Sequence, residues 1–234
     1  MREAGRVVGL AKTVLAEAVR PGITTSELDI MAEHEIRRYG ANPSFKGLYG
    51  FPATICVSIN EQVVHGIPSN RRLNEGDIVS LDIGAIVNGF HADSAFTIGV
   101  GQITDEATRL IEATKESLRL GMEEVQEGAR VGDISAAVQG YAESLGYGVV
   151  RQYVGHGIGR ALHEEPQVPN YGIAGRGPLL REGMAIAIEP MLNIGTWETS
   201  VLDDDWTVVT ADSSLSAHFE DTIAITASGY ELLT

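Results

Sequence analysis

Apolar residues recur at helical spacing near the start of the chain. Val7, Leu10, Ala11, Val14, Leu15 and Ala18 fall on one face and predict an amphipathic helix, which Arg20-Pro21-Gly22 stops. Thr24 and Glu27 have capping-box spacing, and Leu28, Met31 and Ile36 follow as a buried stripe until Gly40 ends the second helix. His34 falls on the outer face of that helix. A Thr104 cap predicts a third helix over about 105–120, and a fourth follows Gly132 with Ile134, Val138, Tyr141 and Leu145 turned inward. Between the helices lie β-branched or alternating runs bounded mostly by Gly, Asn and Pro: Ala53–Ile59, Ile78–Ile83, Ser94–Val100, Ala185–Met191, Trp206–Thr210 and His218–Thr226. Paired helices followed by several strands predict an α+β class rather than a regular βαβ alternation.

The pattern also repeats. Gly22, Leu28, Tyr39 and Gly40 match Gly128, Ile134, Leu145 and Gly146 at a constant offset. The run from Leu73 to Asp82 matches that from Leu180 to Glu189, and both read as a tight turn, an apolar strand and a carboxylate. His91-x-Asp93 echoes His218-x-Glu220. Two similar halves, about 1–121 and 122–234, within one domain account for this better than two domains on a linker.

The chain has 234 residues, a size able to bury a sizeable core without disulfides. Its 44% hydrophobic and 21% charged residues exclude a disordered or fibrous chain, and its net charge of −15 argues against a nucleic-acid surface. Cys56 is the only cysteine, so neither an internal disulfide nor a cysteine-based zinc site is available. No apolar run is long enough to span a membrane, and Glu3 and Lys12 interrupt any secretory-signal pattern. A cytoplasmic location is expected.

Four acids lie in or beside apolar strand-like runs: Asp82 after Ile78–Leu81, Asp93, Glu189 within Met184–Met191, and Glu220 beside Phe219. Left to themselves such groups repel one another and take up protons. Two divalent cations would bring four positive charges to them, and His156, in Gly155-His156-Gly157-Ile158-Gly159, is the candidate imidazole. An oxygen-rich set with one nitrogen suits Mn, Fe(II), Co or Zn. The flanking glycines let backbone come close and are expected to leave the ring accessible. His65 and His163 stand at strand-to-loop transitions, and His91 and His218 are expected on the face of the acid two residues further on. Cys56 reads as a small core residue. No Gly-x-Ser-x-Gly elbow, phosphate loop or dinucleotide fingerprint is present.

Seven ordered motifs carry a resemblance that covers nearly the whole chain. They are Asn60-Glu61-x-Val63-Val64-His65-Gly66-Ile67-Pro68, Asp82-Ile83-Gly84, His91-Ala92-Asp93-Ser94, Gly155-His156-Gly157-Ile158-Gly159, His163-Glu164-Glu165-Pro166, Ile188-Glu189-Pro190 and Ser216-Ala217-His218-Phe219-Glu220. Together they resemble the type I methionine aminopeptidases of the bacterial kind. The resemblance implies the pita-bread (creatinase/aminopeptidase) fold, two pseudo-symmetric α+β halves around a dinuclear metal site. It implies Asp82, Asp93, His156, Glu189 and Glu220 as metal ligands, with Glu189 also acting as base, and His65 and His163 as catalytic and substrate-contacting residues. Phe51, Cys56 and Trp206 match positions of the substrate pocket by type. The implied activity is removal of the initiator methionine from nascent chains, with a small second residue preferred. The expected partners are nascent N-termini, with association at the ribosome, no nucleic acid or membrane, and a monomeric state. Two departures fall beside the pocket. The family commonly has Gly-Tyr-His-Gly where this chain has Gly47-Leu48-Tyr49-Gly50, and a Phe before His-Glu-Glu-Pro where Leu162 stands.

Overall fold

A computed structural model describes all 234 residues. Four helices carry the predicted caps and stripes: α1 (Arg2–Ala18), α2 (Thr25–Arg38), α3 (Asp105–Glu123) and α4 (Val131–Ser144). Thr24 caps α2 by a full capping box: its hydroxyl accepts from the Glu27 N–H at 3.2 Å, and the Glu27 carboxylate accepts from the Thr24 N–H at 2.7 Å. In α4 only the return half exists, because Arg130 offers no acceptor. Asp133 Oδ2 accepts from the Arg130 N–H at 2.7 Å. Leu145 does not turn inward. The helix ends one residue before it, and its side chain is 52% exposed.

The helices cover one face of a nine-stranded sheet whose pairings are all antiparallel. Its main path runs from Asn42–Pro43 through Ile78–Val87, Phe90–Gly99, Glu220–Thr226, Ala185–Ile188 and Gly155–Gly157 to Glu164–Val168. Ile55–Ile59 joins beside Ile78–Val87, and Gly229–Leu232 beside Glu220–Thr226. The two halves meet at the central seam, where Ala95 faces Glu220 and Ser94 faces Asp221.

The sequence repeat is a repeat of hydrogen bonds. Gly22 donates to the Leu73 carbonyl at 2.7 Å and Gly128 to the Leu180 carbonyl at 3.0 Å. Leu73 returns a bond to Ile23 at 2.9 Å, as Leu180 does to Ala129 at 2.8 Å. Gly76 and Gly183, at φ 93° and 89°, turn the chain before equivalent strands. Each half then packs its own core, around Leu15, Leu28, Leu73 and Leu81 in the first and Ile134, Val138, Leu180 and Ile188 in the second.

Three of the differences from the periodic strand reading bear on the site. The run Ser94–Val100 belongs to a strand that starts at Phe90, so Asp93 lies inside it. The runs expected as Ala185–Met191 and His218–Thr226 are each broken in two. Pro190 has no N–H to continue the first ladder, and its carbonyl accepts the Phe219 N–H at the break in the second. Met191–Asn193 and Ser216–His218 pair in a separate three-stranded sheet with Gly148–Val149. The glycine-rich stretch at His156 and the stretch after His163, which carried no strand signal, form the sheet's far edge.

Two glycines of α4 separate fit from freedom. A Cβ on Gly132 would lie 2.3 Å from the Ile173 carbonyl oxygen and 2.6 Å from that of Arg176, whereas Gly140 has nothing within 4 Å. Gly132→Ala is expected to destabilise the protein by about 1–3 kcal/mol through overpacking. Gly140→Ala should stabilise it by roughly 0.5–1 kcal/mol through helix propensity. Urea denaturation of both variants measures the contrast, and equal effects would contradict this packing.

Candidate metal centre

The antiparallel register lines the acids up on the sheet face away from the helices. Cross-strand partners share a face, and Asp82 pairs with Ala95, which pairs with Glu220. In the next row Gly84 pairs with Asp93, and Thr222 with Ala187, which pairs with His156. Small residues at 84, 95 and 187 leave the space above the sheet to the longer side chains. Glu189 is one residue beyond the strand end at Ile188 and two beyond Ala187, so it points to the same side.

All five predicted residues come together. Ligand atoms of Asp93, His156 and Glu220 lie within 4.8 Å of one another. His156 Nε2 is 3.5 Å from Asp93 Oδ2 and 3.9 Å from Glu189 Oε1. Asp82 Oδ1 is buried without a hydrogen-bond partner. His156 is itself buried rather than accessible, and its flanking glycines serve close strand approach. A Cβ on Gly155 would meet the Ala187 carbonyl at 2.3 Å, and one on Gly157 the Glu165 carbonyl at 2.2 Å.

The electrostatics favour neutralisation. Burial, then the charges of Asp93 and Glu189, push Asp82 well above the carboxylate range. Burial and the other site acids do the same to Glu220, and burial with Asp93 raises Glu189 against the pull of His156. Burial also opposes a charge on His156, but the neighbouring Asp93 and Glu189 outweigh it and push its pKa up to about 9. An orphaned carboxylate oxygen, three acids forced toward protonation and one imidazole are a donor set that fits divalent cations with oxygen preference.

Beside the acids lies a cavity of about 300 Å³, lined also by an apolar cluster of Phe45, Leu48, Phe51, Cys56, Leu162 and Trp206. Phe51 and Trp206 meet edge to face at 5.1 Å. Cys56 is buried, and burial with the charges of Asp82 and Glu220 pushes its thiol well up, which suits a wall residue and not a nucleophile. His65 and His163 both line the cavity. His65, at φ 61°, packs edge-on to Tyr153 at 5.5 Å, and burial, then His163, lower its pKa to about 4. His163 is exposed, its ring edge-on to His156 at 4.5 Å.

His91 shares a strand face with Asp93 as expected, but neither outer histidine bonds the acid two residues on. His91 Nδ1 bonds the Ser44 hydroxyl at 3.0 Å and not an acid. His218, fully buried and held near pKa 3 chiefly by burial, lies 3.7 Å from Glu189 Oε2 rather than serving Glu220. Tyr49, in the segment that departs from the family pattern, has its ring parallel to that of His163 at 6.4 Å, whereas sequence reasoning missed Tyr153 and Gln152 in the cavity wall. No periodicity or motif marks them. It also missed Thr222, whose hydroxyl lies 3.0 Å from Asp93 Oδ1. Strand alternation from Glu220 could have found it.

Known proteins are similar to this chain in sequence and fold. The model of metallopeptidase family M24 matches residues 1–227, and the chain belongs to that family of metal-dependent hydrolases. Within it the chain groups with the bacterial type I methionine aminopeptidases. It is 56% identical to the methionine aminopeptidase of Clostridium perfringens, over all of this chain and 94% of that one. It is 53% identical to methionine aminopeptidase 1 of Bacillus subtilis with the same coverage. The crystal structure of methionine aminopeptidase from Rickettsia prowazekii matches with a TM-score of 0.99 at 42% identity, covering 100% of this chain and 95% of that one. The fold is therefore the pita-bread fold with two pseudo-symmetric halves. No helix is long and apolar enough to cross a membrane.

Asp82, Glu189, Glu220 and His156 all have pKa values raised by folding, so the stability they contribute is present at low pH and lost as pH rises through those values. His65 and His218, with lowered values, contribute in the opposite sense only below about pH 7. The melting temperature of chelator-treated protein should therefore fall between about pH 7 and about pH 8.5, and Mn(II) should raise it more at the upper end. A flat or rising apo profile would show that these acids do not repel as placed.

Proposed function

We propose that the chain removes the initiator methionine from nascent proteins, as a metal-dependent aminopeptidase that prefers a small second residue. The observation that carries the reading is one cavity lined both by five convergent ligand groups and by an apolar cluster. A peptide entering with its free α-amino group at the acids places an unbranched apolar side chain among Phe51, Cys56, Leu162 and Trp206.

Asp82, Asp93, His156, Glu189 and Glu220 would hold two divalent ions, drawn from Co, Mn, Fe(II) or Zn. When bound, such a pair supplies Lewis acidity, lowering the pKa of a water and polarising the scissile carbonyl. Glu189 takes the proton of the attacking water as general base. His65, whose lowered pKa keeps it neutral near pH 7, and His163 donate N–H groups to the carbonyl oxygen as it gains charge. Water adds to the carbonyl carbon, the C–N bond breaks, and the proton leaves on the amine. The working unit is one metallopeptidase domain over 1–234, whose halves divide before α3 rather than near 121, because α3 shares the second core with α4. It acts as a cytoplasmic monomer on nascent N-termini at the ribosome, without binding nucleic acid. Leu48 and Leu162, where relatives of this kind carry larger aromatic groups, keep the pocket apolar while changing its shape.

With Mn(II) or Co(II) added, Met-Ala-Ser is expected to be cleaved after Met, faster than Met-Leu-Ser, while an Xaa-Pro dipeptide is left intact. Glu189→Gln should lower kcat by roughly 10²–10⁴-fold. Mutant turnover near the parent's removes Glu189 from the chemistry, and cleavage of the Xaa-Pro dipeptide instead would overturn the substrate assignment.

A further inference from the structure

We propose that Lys12 is a positioning residue for the metal centre, acting through Ser94 and Asp221 on the strand seam that carries Asp93 and Glu220. The proposal rests on the reading of those two acids as ligands. Strand alternation turns Ser94 and Asp221 to the helix side of the sheet, each next in sequence to a candidate ligand. Lys12 reaches them from α1: its Nζ donates to Ser94 Oγ at 2.6 Å and to Asp221 Oδ1 at 3.2 Å.

Ser94 is fully buried and has one hydroxyl proton with two acceptors in reach. These are the backbone carbonyl of Glu220 at 2.5 Å and Asp221 Oδ1 at 2.9 Å. The Lys12 ammonium compensates Asp221 and occupies a lone pair of the hydroxyl oxygen, which directs the proton to the Glu220 carbonyl. Across the seam Thr222 Oγ1 lies 2.8 Å from the Asp93 carbonyl oxygen. Each half thus lends a hydroxyl to the backbone of the other half's acid. Thr234 extends the node, donating to Asp221 Oδ1 at 3.2 Å and accepting from the Thr222 N–H at 3.1 Å.

Without Lys12, Asp221 is an uncompensated charge with only 18% of its side chain exposed, one residue from Glu220. It competes for the Ser94 proton and adds repulsion behind a site that already gathers four acids. Nothing in this node touches the cavity, so its effect is on ligand placement and not on the reacting groups.

The test is Co(II) binding by calorimetry, with the visible absorption of bound Co(II) as a signature of ligand geometry. Lys12→Met should weaken Co(II) affinity about 10–100-fold, the usual cost of losing an outer partner of a metal ligand, and alter the spectrum. Adding Asp221→Asn to that variant should recover most of the loss. A Lys12→Met protein that melts lower but keeps the parent's affinity and spectrum overturns the proposal. If Lys12→Met does not fold, Ser94→Ala, which keeps the Lys12–Asp221 pair, must show the same direction of change, and parent-like binding there overturns it as well. A parent protein that binds no Co(II) overturns the ligand reading, and this proposal with it.

Discussion

Four carboxylates gathered on one face of one sheet, and largely withdrawn from water, set the terms for everything else in this molecule. Each is costly to bury ionised, and together they are costlier. The fold holds them at that spot regardless, through cross-strand register on both sides of a central seam. Such a concentration of like charge needs a counterion, and His156 is the sole cationic group among them. The proposed pair of divalent ions is the compensation that matches the charge, the hardness of the donors and the orphaned Asp82 oxygen.

Pseudo-twofold architecture is the means of gathering them. A single half supplies Asp82 and Asp93 on adjacent strands, and the other supplies His156, Glu189 and Glu220. Each half builds its own apolar core between its helix pair and its strands, so the seam is free to be polar. Buried hydroxyls fill that seam. Ser94, Thr97 and Thr222 bond across it to backbone groups of Glu220, His218 and Asp93, fixing the halves to each other at the level of the site. Rigidity at the ligands comes from this layer, which separates the helices from the cavity.

The cavity sets a group of acids and imidazoles beside an apolar cluster. The acids and imidazoles converge over the sheet, and Phe51, Trp206, Leu162 and Cys56 form the apolar cluster beside them, with Cys56 directly opposite Asp82 in the ladder. Under the proposed function that division would orient a peptide N-terminus, its charged amine drawn to the acids and its apolar first side chain to the cluster. The departures at Leu48 and Leu162 fall in the apolar cluster, and leave the acids as the register dictates.

Local signals in the chain settled a good deal. The helix stripes, the Thr24 capping box, the positive-φ turns at Gly22, Gly76, Gly128 and Gly183, and the duplicated turn–strand–carboxylate pattern all follow from side-chain periodicity and glycine freedom, which act over a few residues. The four acid positions were legible because charge in or beside an apolar run is anomalous wherever it occurs, and His156 because glycines flank it. Tertiary structure alone decided the rest. The breaks at Pro190 and Phe219 depend on which sheet each fragment joins, and the strand at His156 depends on neighbours that only a glycine backbone can approach. Tyr153, Thr222 and Lys12 matter through residues about 90–210 positions away in the chain. Periodicity reports which way a side chain points along its own element. Which distant partner it meets is set by how the elements pack, and no local pattern encodes that.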